Sequence, residues 1–387
     1  MDFIPYGRQL VETDDIAAVV EVLKSSHLTQ GPQVPAFETE LCERTQAAHA
    51  VAVNSATSAL HIACLALGLK PGDHLWTSPT TFVASANCAL YCGADVDFVD
   101  IDPSTGLMDA EALEKKLIEA EIKNRLPKIV VPVHLAGTSC DMERISKLCR
   151  RWQVKIIEDA SHAIGGEYKG KPLGCCEYSD ITVFSFHPVK IITTAEGGIA
   201  TTNNTRLAER MQDLRSHGIT KDRKRFKDNT AGPWSYEQQT LGFNYRLNDI
   251  QAALGRSQLK KLDNFVNRRH EIMRIYSKAM ESLPVSILTI PPDVRSSLHL
   301  AVVRLDDQSP SAHKRVFCKL RDYGIGVQLH YSPVHMQPYY REKGFKVGDF
   351  PNAEAYGLNA ISLPMNAAMT DDDALYVCAR LKGLTTQ

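Results

Sequence analysis

The stretch ITVFSFHPVKIITTAEGG, residues 181–198, decides both the fold and the candidate site of this chain. Its first residues are mostly apolar, β-branched or aromatic, which predicts a buried strand over residues 181–186. Lys190 follows this strand in an apolar, turn-rich setting with no obvious solvated face, although most lysines are surface charges. Burial lowers the pKa of a lysine and leaves more of it as a nucleophilic amine. Because Gly197 and Gly198 let backbone approach a ligand closely, the stretch predicts a reactive lysine beyond a strand end.

Short β-rich runs alternate with helical patterns on the N-terminal side of this stretch. The predicted strands fall at residues 51–53, 95–101, 128–135, 154–159 and 181–186, and the predicted helices at 57–69, 80–92, 109–122 and 141–152. This alternation predicts an α/β fold in which a mainly parallel sheet is sandwiched between helices. Ligands of such sheets bind beyond the carboxyl ends of the strands, so polar residues after each run are the candidates.

The chain beyond residue 250 predicts a second, smaller domain. A long helical pattern over residues 247–282 is followed by three predicted strands and one further helix. The strands are predicted at residues 284–292, 296–307 and 326–333, and the helix at residues 311–324. At 387 residues the chain exceeds what one ordinary core contains. We therefore predict a large domain over residues 13–250 and a small C-terminal α+β domain over 251–387, with residues 1–12 packed near the small one.

Charge and composition argue against several classes of protein. The 44 basic residues are balanced by 45 acidic ones, so the basic excess of a nucleic-acid-binding protein is absent. No apolar run approaches the roughly 18 residues of a membrane helix, and MDFIPYGRQLVETDD lacks the pattern of a signal peptide. The ten cysteines are scattered, which indicates free thiols in a reducing cytoplasm rather than disulfides or a metal site.

Polar residues beyond the predicted strands form a candidate cofactor site. In NSATSAL (54–60) a strand turns into a helix, whose free N–H groups, with Thr57 and Ser58, either bind an anion or form an ordinary cap. Asp159 ends a buried strand and either caps the next turn or faces a protonated ring nitrogen. Phe82 either packs in the core or stacks on a flat cofactor. A lysine, an acid and a phosphate cup are what pyridoxal 5′-phosphate (PLP) requires of a protein, and no dinucleotide or P-loop motif competes.

Further motifs, spread over nearly the whole chain, resemble those of one known family. LTQGPQVPAFE, NSATSALHIACLALGL, TTFVASANC, EDASHAIGGEYKG, RSHGI, GFNYRLNDIQAALG and GVQLHYSPVHMQPYY resemble the DegT/DnrJ family of sugar-nucleotide aminotransferases, which are fold-type I PLP-dependent transferases. IPYGRQ and FSFHPVK resemble one subgroup more closely, the transaminases of the pseudaminic acid pathway that form UDP-4-amino-4,6-dideoxy-N-acetyl-β-L-altrosamine. The resemblance implies a nucleotide-sugar acceptor, L-glutamate as donor and a homodimer with shared active sites.

The resemblance also implies roles for individual residues. Lys190 is expected to form the Schiff base with PLP and to shuttle protons, and Asp159 to hold the proton of the pyridine nitrogen. The remaining cofactor contacts that it implies are Ala56, Thr57 and Ser185 at the phosphate, Phe82 on the ring, His162 near the phenolic oxygen, and Asn244 at the phosphate of the neighbouring subunit. His162 stands where many relatives carry glutamine, and Ala195 stands where the family pattern TTGEGG has glycine, which leaves that turn uncertain.

Substrate contacts are less sharply indicated. The segments that the family uses around its substrates contain Tyr6, His217, Arg246, His330 and Tyr331. Lone histidines are more often structural, and we favour a pairing of Arg246 with nearby Asp249 over one with the donor carboxylate. The basic segment KDRKRFKD, residues 221–228, is either a solvated loop or a mobile loop at the mouth of the site that holds a diphosphate.

Two other functions remain open. The chain is either an aminotransferase for another nucleotide sugar, acting at C3 or C4, or a regulatory or binding protein that keeps the fold without turnover. Retention of Lys190, Asp159 and Ser185 together argues against the second alternative. Lysine at position 190 also argues against the dehydratases of the same family, which carry histidine there.

Overall fold

A seven-stranded sheet forms the centre of the computed structural model, which describes residues 3–227 and 232–385. The strands are β1 His49–Val53, β2 His74–Thr77, β3 Asp95–Phe98, β4 Ile129–Val131, β5 Lys155–Asp159, β6 Glu167–Tyr168, β7 Lys171–Pro172, β8 Ile181–Ser185, β9 Gly198–Thr202, β10 Ile219–Thr220, β11 Glu237–Gln238, β12 Val285–Ile287, β13 Val294–Arg295, β14 Ala301–Leu305 and β15 Ala360–Leu363. The order in the central sheet is β1-β9-β8-β5-β4-β2-β3.

Most neighbouring strands of this sheet are parallel. β3, β2, β4, β5 and β8 pair in parallel, whereas β9 is antiparallel to both β8 and β1. β4 and β8 are buried along their whole length, which is why their sequences are continuous apolar runs rather than alternating ones. The predicted α/β fold with a mainly parallel sheet is therefore confirmed.

Helices cover the sheet and build the rest of the chain. They are α1 Thr13–Lys24, α2 Gln33–Thr45, α3 Ala56–Ala66, α4 Ala84–Tyr91, α5 Ala110–Ile122, α6 Met142–Arg151, α7 Thr205–Arg215, α8 Asp249–Leu259, α9 Leu262–Met280, α10 Pro310–Asp322, α11 Pro338–Glu342, α12 Pro351–Asn359 and α13 Asp371–Thr385. Polar side chains begin several of them: Ser55 accepts the N–H of Ser58 at α3, and Asp141 accepts that of Arg144 at α6. In the described ranges no helix is long and apolar enough to cross a membrane.

The buried apolar side chains fall into two clusters. The larger one surrounds the central sheet, and the smaller one joins β12, β14, β15, α10 and α13. The helix α9 contributes Phe265 to the larger cluster and Tyr276 to the smaller one. The N-terminal segment joins the smaller cluster, because Ile4 accepts the N–H of Gly326 (2.7 Å) and donates its own to Gly324 (2.9 Å). The domain bounds near residue 250 stay a prediction.

Two strands of the central sheet were missed, and one predicted helix starts late. β2 (HLWT) has only two aliphatic or aromatic side chains between His74 and Thr77, and β9 (GIATT) has a single large apolar residue, Ile199, so neither forms an extended apolar run. The helix predicted over residues 80–92 begins only at Ala84. Its first i to i+4 bond runs from the N–H of Asn87 to the carbonyl of Val83 (2.8 Å), so Phe82 lies in the preceding loop rather than in the helix.

Two further predictions for the C-terminal part were wrong. The single helical pattern over residues 247–282 is two helices, α8 and α9, which are interrupted where Lys261 pairs with Asp15 of α1 (2.9 Å). The segment GVQLHYSP is not a strand: in the described chain it forms one isolated bridge, between Gln328 and Ser362. After that bridge the segment leaves β15 and enters the wall of a cavity.

The turn between Lys190 and β9 contains an alanine in the left-handed region. Ala195 has a φ of 65°, its N–H donates to Thr193 Oγ1 (2.9 Å), and the N–H of Glu196 donates to the carbonyl of Thr194 (2.9 Å). A residue with a Cβ in this region is strained by roughly 1–2 kcal/mol. The turn therefore forms with alanine in the place of the expected glycine, at a cost in conformational energy.

Replacing this alanine tests the strain. Ala195→Gly should stabilise the protein by about 0.5–1 kcal/mol, because relief of the strain exceeds the added entropy of the unfolded chain. The Ala195 side chain is exposed, so little packing is lost. The matched control Ala17→Gly, at an exposed position inside α1, should instead lose about 1 kcal/mol. Urea unfolding measures both variants, and destabilisation by Ala195→Gly would contradict the interpretation.

Candidate active site

A cavity of about 410 Å³ opens beyond the carboxyl ends of β5 and β8. It gathers most of the residues that the sequence analysis singled out, namely Tyr6, Ala56, Thr57, Phe82, Asp159, His162, Ser185, Lys190, His330 and Tyr331. Because β5 and β8 are parallel neighbours, with Asp159 opposite Val183, their ends meet at one edge of the sheet. This is the physical reason why residues so far apart in sequence share one wall.

The start of α3 forms one end of the cavity. The N–H groups of Ala56 and Thr57 are the first two of the helix and have no helical carbonyl to bind. β9 lies against them so closely that a Cβ on Gly198 would stand 2.4 Å from the nitrogen of Ala56. In the strand register Gly198 is opposite Ser185, which brings that hydroxyl to the same end of the cavity. N–H groups at a helix start beside a hydroxyl fit a phosphate group.

Lys190 is half-buried, because part of its side chain faces the cavity. Burial lowers the pKa of Lys190 to about 8, while the charge of Asp159 acts in the opposite direction. Close to neutral pH a larger fraction of this lysine is therefore a free amine than at a solvated position. That is the property which a lysine needs in order to form an imine with an aldehyde.

The Asp159 carboxylate caps the following turn and also lines the cavity. Asp159 is 4% exposed at the end of β5, and its Oδ1 accepts the N–H of Ser161 (3.1 Å), as in a turn cap. Its Oδ2 accepts the hydroxyl of Ser85 (2.6 Å), and the residue also lines the cavity beside Lys190. The turn cap therefore holds the carboxylate in place without removing it from the site.

Aromatic and imidazole rings line the remaining wall. His162 Nε2 and the Tyr331 hydroxyl form a hydrogen bond (3.1 Å), whereas the buried Nδ1 of His162 has no partner among the described residues. Burial, together with the charge of Lys190, holds the pKa of His162 well below its usual value, so the ring is neutral. Phe82 is 58% exposed, so it is not a core residue, and its ring centre lies 6.2 Å from that of Tyr331.

The sequence analysis did not single out His299, which lines the cavity, or Ser85, which binds Asp159. Ser85 stands one turn after Phe82 in the quoted string TTFVASANC, and that spacing was the available signal. His299 lines the cavity with its ring centre 4.4 Å from that of His162, but it lies in a stretch that was interpreted only as a strand. Burial and the neighbouring His162 hold the pKa of His299 well below its usual value.

Three predicted site residues lie outside the cavity of their own chain. Asn244 is exposed and bridges Ser216, and the N–H of His217 donates to the carbonyl of Phe243 (2.8 Å). Arg246 forms a backbone bridge with Val53 at the end of β1. The expected Arg246–Asp249 pair is not formed in the described chain.

The hydrogen bonds of Asp249 explain why it does not pair with Arg246. The carboxylate of Asp249 instead accepts the N–H groups of Gly31 (2.8 Å) and Gln33 (2.8 Å), which belong to the entrance of α2. The basic segment is not solvated along its whole described length: Phe226 is buried, and Arg225 pairs with Asp213. Its last residue, Asp228, lies outside the described residues.

The donor set as a whole fits PLP. The helix start with Ser185 would hold the phosphate of PLP, the buried carboxylate of Asp159 would hold a proton on its ring nitrogen, and the Lys190 amine would form the imine with its aldehyde. The unpaired Nδ1 of His162 offers a hydrogen bond to a ligand atom in the same cavity. In the described part of the chain, no group of three His, Cys, Asp or Glu side chains is arranged to hold a metal ion.

Comparisons with known proteins extend along almost the whole chain. The sequence profile of the DegT/DnrJ/EryC1/StrS aminotransferase family matches residues 9–382. The spore coat polysaccharide biosynthesis protein SpsC of Bacillus subtilis is 40% identical, over 96% of this chain and 94% of that protein. The UDP-4-amino-4,6-dideoxy-N-acetyl-beta-L-altrosamine transaminase of Campylobacter jejuni is 39% identical, over 97% of this chain and 95% of that protein.

Solved structures agree with the sequence matches. Helicobacter pylori PseC, an aminotransferase involved in the biosynthesis of pseudoaminic acid, superposes with a TM-score of 0.91 at 34% identity, over 100% of both chains. A PLP-form structure of a protein from Streptococcus pneumoniae assigned as a sugar aminotransferase gives a TM-score of 0.90 at 30% identity, over 99% of this chain and 98% of that one. The chain belongs to the DegT/DnrJ/EryC1/StrS aminotransferase family and is a PLP-dependent sugar aminotransferase.

Proposed function

We propose that the protein transfers the amino group of L-glutamate to C4 of a UDP-linked 4-keto-6-deoxy-N-acetylhexosamine, forming UDP-4-amino-4,6-dideoxy-N-acetyl-β-L-altrosamine. The observation that carries amino transfer is the Lys190 amine beside Asp159 in one cavity with an anion-binding helix start. The choice of sugar is supported by 39% identity, over 97% of this chain, to the Campylobacter jejuni transaminase of that name.

A second candidate is amino transfer to a different nucleotide sugar. It is supported by the equally similar Bacillus subtilis protein, whose name refers to spore coat polysaccharide rather than to altrosamine. Both candidates use the same cavity and the same lysine. They differ in the sugar that reaches Lys190, so only a comparison of acceptors separates them.

Seven residues of the cavity have a stated role in this proposal. PLP, when bound, supplies an electron sink that stabilises negative charge at the amino carbon. Lys190 holds the cofactor and later moves the proton at the amino carbon, and Asp159 keeps a proton on the ring nitrogen. Ala56, Thr57 and Ser185 bind the phosphate, Phe82 covers one face of the ring, and the neutral His162 donates or accepts one hydrogen bond at its edge.

The charges of the cavity support a homodimer with shared sites. PLP, glutamate and a nucleotide diphosphate are all anionic, yet within the described residues Lys190 is the single lysine or arginine of the lining. Other cations must therefore reach the ligands from outside this cavity. The exposed Asn244 lies beside β1 but not in its own cavity, which suits a contact with the neighbouring subunit. The basic segment 221–227 is our candidate for holding the diphosphate.

We also propose a cytoplasmic location. The ten cysteines of the chain are all free, and eight of them lie in the range 42–176 without a disulfide between any two. Free thiols in such number suit a reducing compartment. Nucleotide sugars carry negative charges and do not cross membranes unaided, so the proposed enzyme has to be in the aqueous compartment that contains them.

Removal of the lysine amine tests the core of the proposal. Lys190→Ala should lower kcat by at least about 10²–10⁴-fold, because both the attachment of PLP and the proton carrier are lost. The purified variant should lack the yellow colour that L-glutamate bleaches in the wild type. Lys278→Ala, at an exposed position on α9, is the control and should keep both colour and rate. A yellow, active Lys190→Ala variant would place the reactive lysine elsewhere.

Mixing two inactive variants tests whether sites are shared. Asn244→Asp adds a negative charge next to the phosphate and should be inactive alone, as should Lys190→Ala. If Asn244 serves the neighbouring subunit, each hybrid dimer regains one intact site. Co-expression with two different tags should then restore about a quarter of the wild-type activity for statistical pairing of a two-fold dimer. No recovery in isolated hybrid dimers would mean that Asn244 acts within its own chain, and an active Asn244→Asp variant would mean that Asn244 has no role at the phosphate.

The two C5 epimers of the acceptor test the choice of sugar. Inversion at C5 moves a methyl group to the other ring face, and one methyl contact in an apolar pocket changes kcat/KM by roughly 10- to 200-fold. We expect a preference of about that size for the L-arabino over the D-xylo 4-keto sugar. The measurement is kcat/KM for each epimer, and for a dTDP-linked 4-keto sugar, with L-glutamate as donor. Preference for the D-xylo or dTDP sugar would reject this product and favour the second candidate.

A further inference from the structure

Three buried side chains form a hydrogen-bonded chain in the wall of the candidate site, and its two ends, Thr81 and Asp159, line the cavity. The Thr81 and Ser85 hydroxyl oxygens are 2.8 Å apart, and the Ser85 hydroxyl is 2.6 Å from Asp159 Oδ2. Thr81 is 2% exposed, Ser85 1% and Asp159 4%, so water does not compete for these bonds. The distance to Asp159 is in the range of a charge-assisted O–H···O⁻ bond.

The hydrogens of this chain can be placed by their acceptors. Ser85 has one hydroxyl hydrogen and three possible acceptors for it, namely the carboxylate of Asp159, the carbonyl of Phe82 at 3.4 Å and the hydroxyl oxygen of Thr81. The carboxylate is both closer and a stronger acceptor, so it receives the hydrogen. The Ser85 oxygen is then free to accept the hydrogen of Thr81. The bonds therefore run in one direction, from Thr81 to Ser85 to Asp159.

The carboxylate is consequently held from two separate elements. Oδ2 is bound by Ser85 on α4, and Oδ1 is bound by the N–H of Ser161 in the turn after β5. With one protein donor on each oxygen, rotation about the Cβ–Cγ bond breaks at least one charge-assisted bond. The same hydroxyl chain spans Phe82, since Thr81 and Ser85 flank that residue in the loop and first turn of α4.

We propose that Ser85 is a positioning residue of the amino-transfer reaction, which aligns the Asp159 carboxylate with the ring nitrogen of PLP through the directed chain Thr81–Ser85–Asp159. The proposal rests on the proposed role of Asp159. Ser85 itself does not line the cavity, so it acts through the carboxylate and not on the substrate. Its bond also keeps the loop that carries Phe82 in a fixed relation to the acid, so that the two ring contacts of PLP are set together.

The decisive variant is Ser85→Ala, which removes one oxygen and leaves the helix unchanged. We expect kcat to fall by about 10- to 100-fold, as when the outer partner of an essential metal ligand is removed. We also expect the pH midpoint of the colour change of the bound cofactor to rise. A ring nitrogen that is less fully protonated withdraws less electron density from the lysine-linked nitrogen, which then holds its proton to higher pH. The affinity for PLP should fall less than the rate, because the phosphate cup is intact.

Matched variants separate positioning from packing. Ser146→Ala removes an equally buried hydroxyl on α6 that has no partner among the described residues, and it should leave the midpoint unchanged. Thr81→Val keeps the shape but removes the first donor, and it should shift the midpoint in the same direction by less than Ser85→Ala. Lys190 and Tyr331 also interact electrostatically with Asp159, and these variants leave both of them in place.

Asp159→Asn distinguishes the failure of this proposal from failure of the proposed function. If Asp159→Asn raises the midpoint and Ser85→Ala does not, Ser85 has no positioning role while the role of Asp159 stands. If neither variant moves the midpoint, the assignment of Asp159 to the ring nitrogen is itself wrong. A shift for Ser146→Ala as large as that for Ser85→Ala would reduce the effect of Ser85 to general packing and would overturn the proposal.

Discussion

The close approach of β9 to the start of α3 is the constraint on which the rest of the site depends. Gly198 stands opposite both Val53 and Ser185 in the sheet, so one row of backbone joins the end of β1, the end of β8 and the first turn of α3. No side chain fits at this position, because even a Cβ would overlap the backbone of Ala56. The N–H groups at the start of α3 therefore lie next to the end of β8, the strand that precedes Lys190. The strand β5 is the parallel neighbour of β8 and ends in Asp159 at the same edge of the sheet.

The protonation states of the lining residues also determine what the cavity can do. Burial keeps His162 and His299 neutral, and it lowers the pKa of His330 to about 4, so the ring-lined wall carries no positive charge close to neutral pH. Lys190 is then the main cation of the cavity, and its own pKa of about 8 makes it a partial amine. A cavity of this kind favours covalent chemistry at one nitrogen, and its own means of binding an anion are the N–H groups at the start of α3 and that one lysine.

The sequence alone predicted those parts of the protein that rest on local patterns. The apolar runs that end at Asp159 and before Lys190 are buried parallel strands, and such runs are recognisable without knowledge of their neighbours. β9 and the segment around Gln328 were not predictable in this way, because tertiary contacts with β1, β8 and β15 determine their conformation. Ser85 was missed for a related reason: a serine in a small-residue helix gains its meaning only from the carboxylate that faces it across the fold.

The pairing of Ile4 with residues near Ile325 has a consequence for the order in which parts of the chain can fold during synthesis. A ribosome that adds about 5–20 residues per second needs roughly 20–60 s to travel between these two positions. Through that interval the apolar Ile4, which is 5% exposed in the folded protein, has no partner to cover it. Tyr6 then reaches its place against His330, 5.2 Å between ring centres, late in synthesis. A segment that is translated before the strands of the central sheet is thus among the last to take its place in the wall of the cavity.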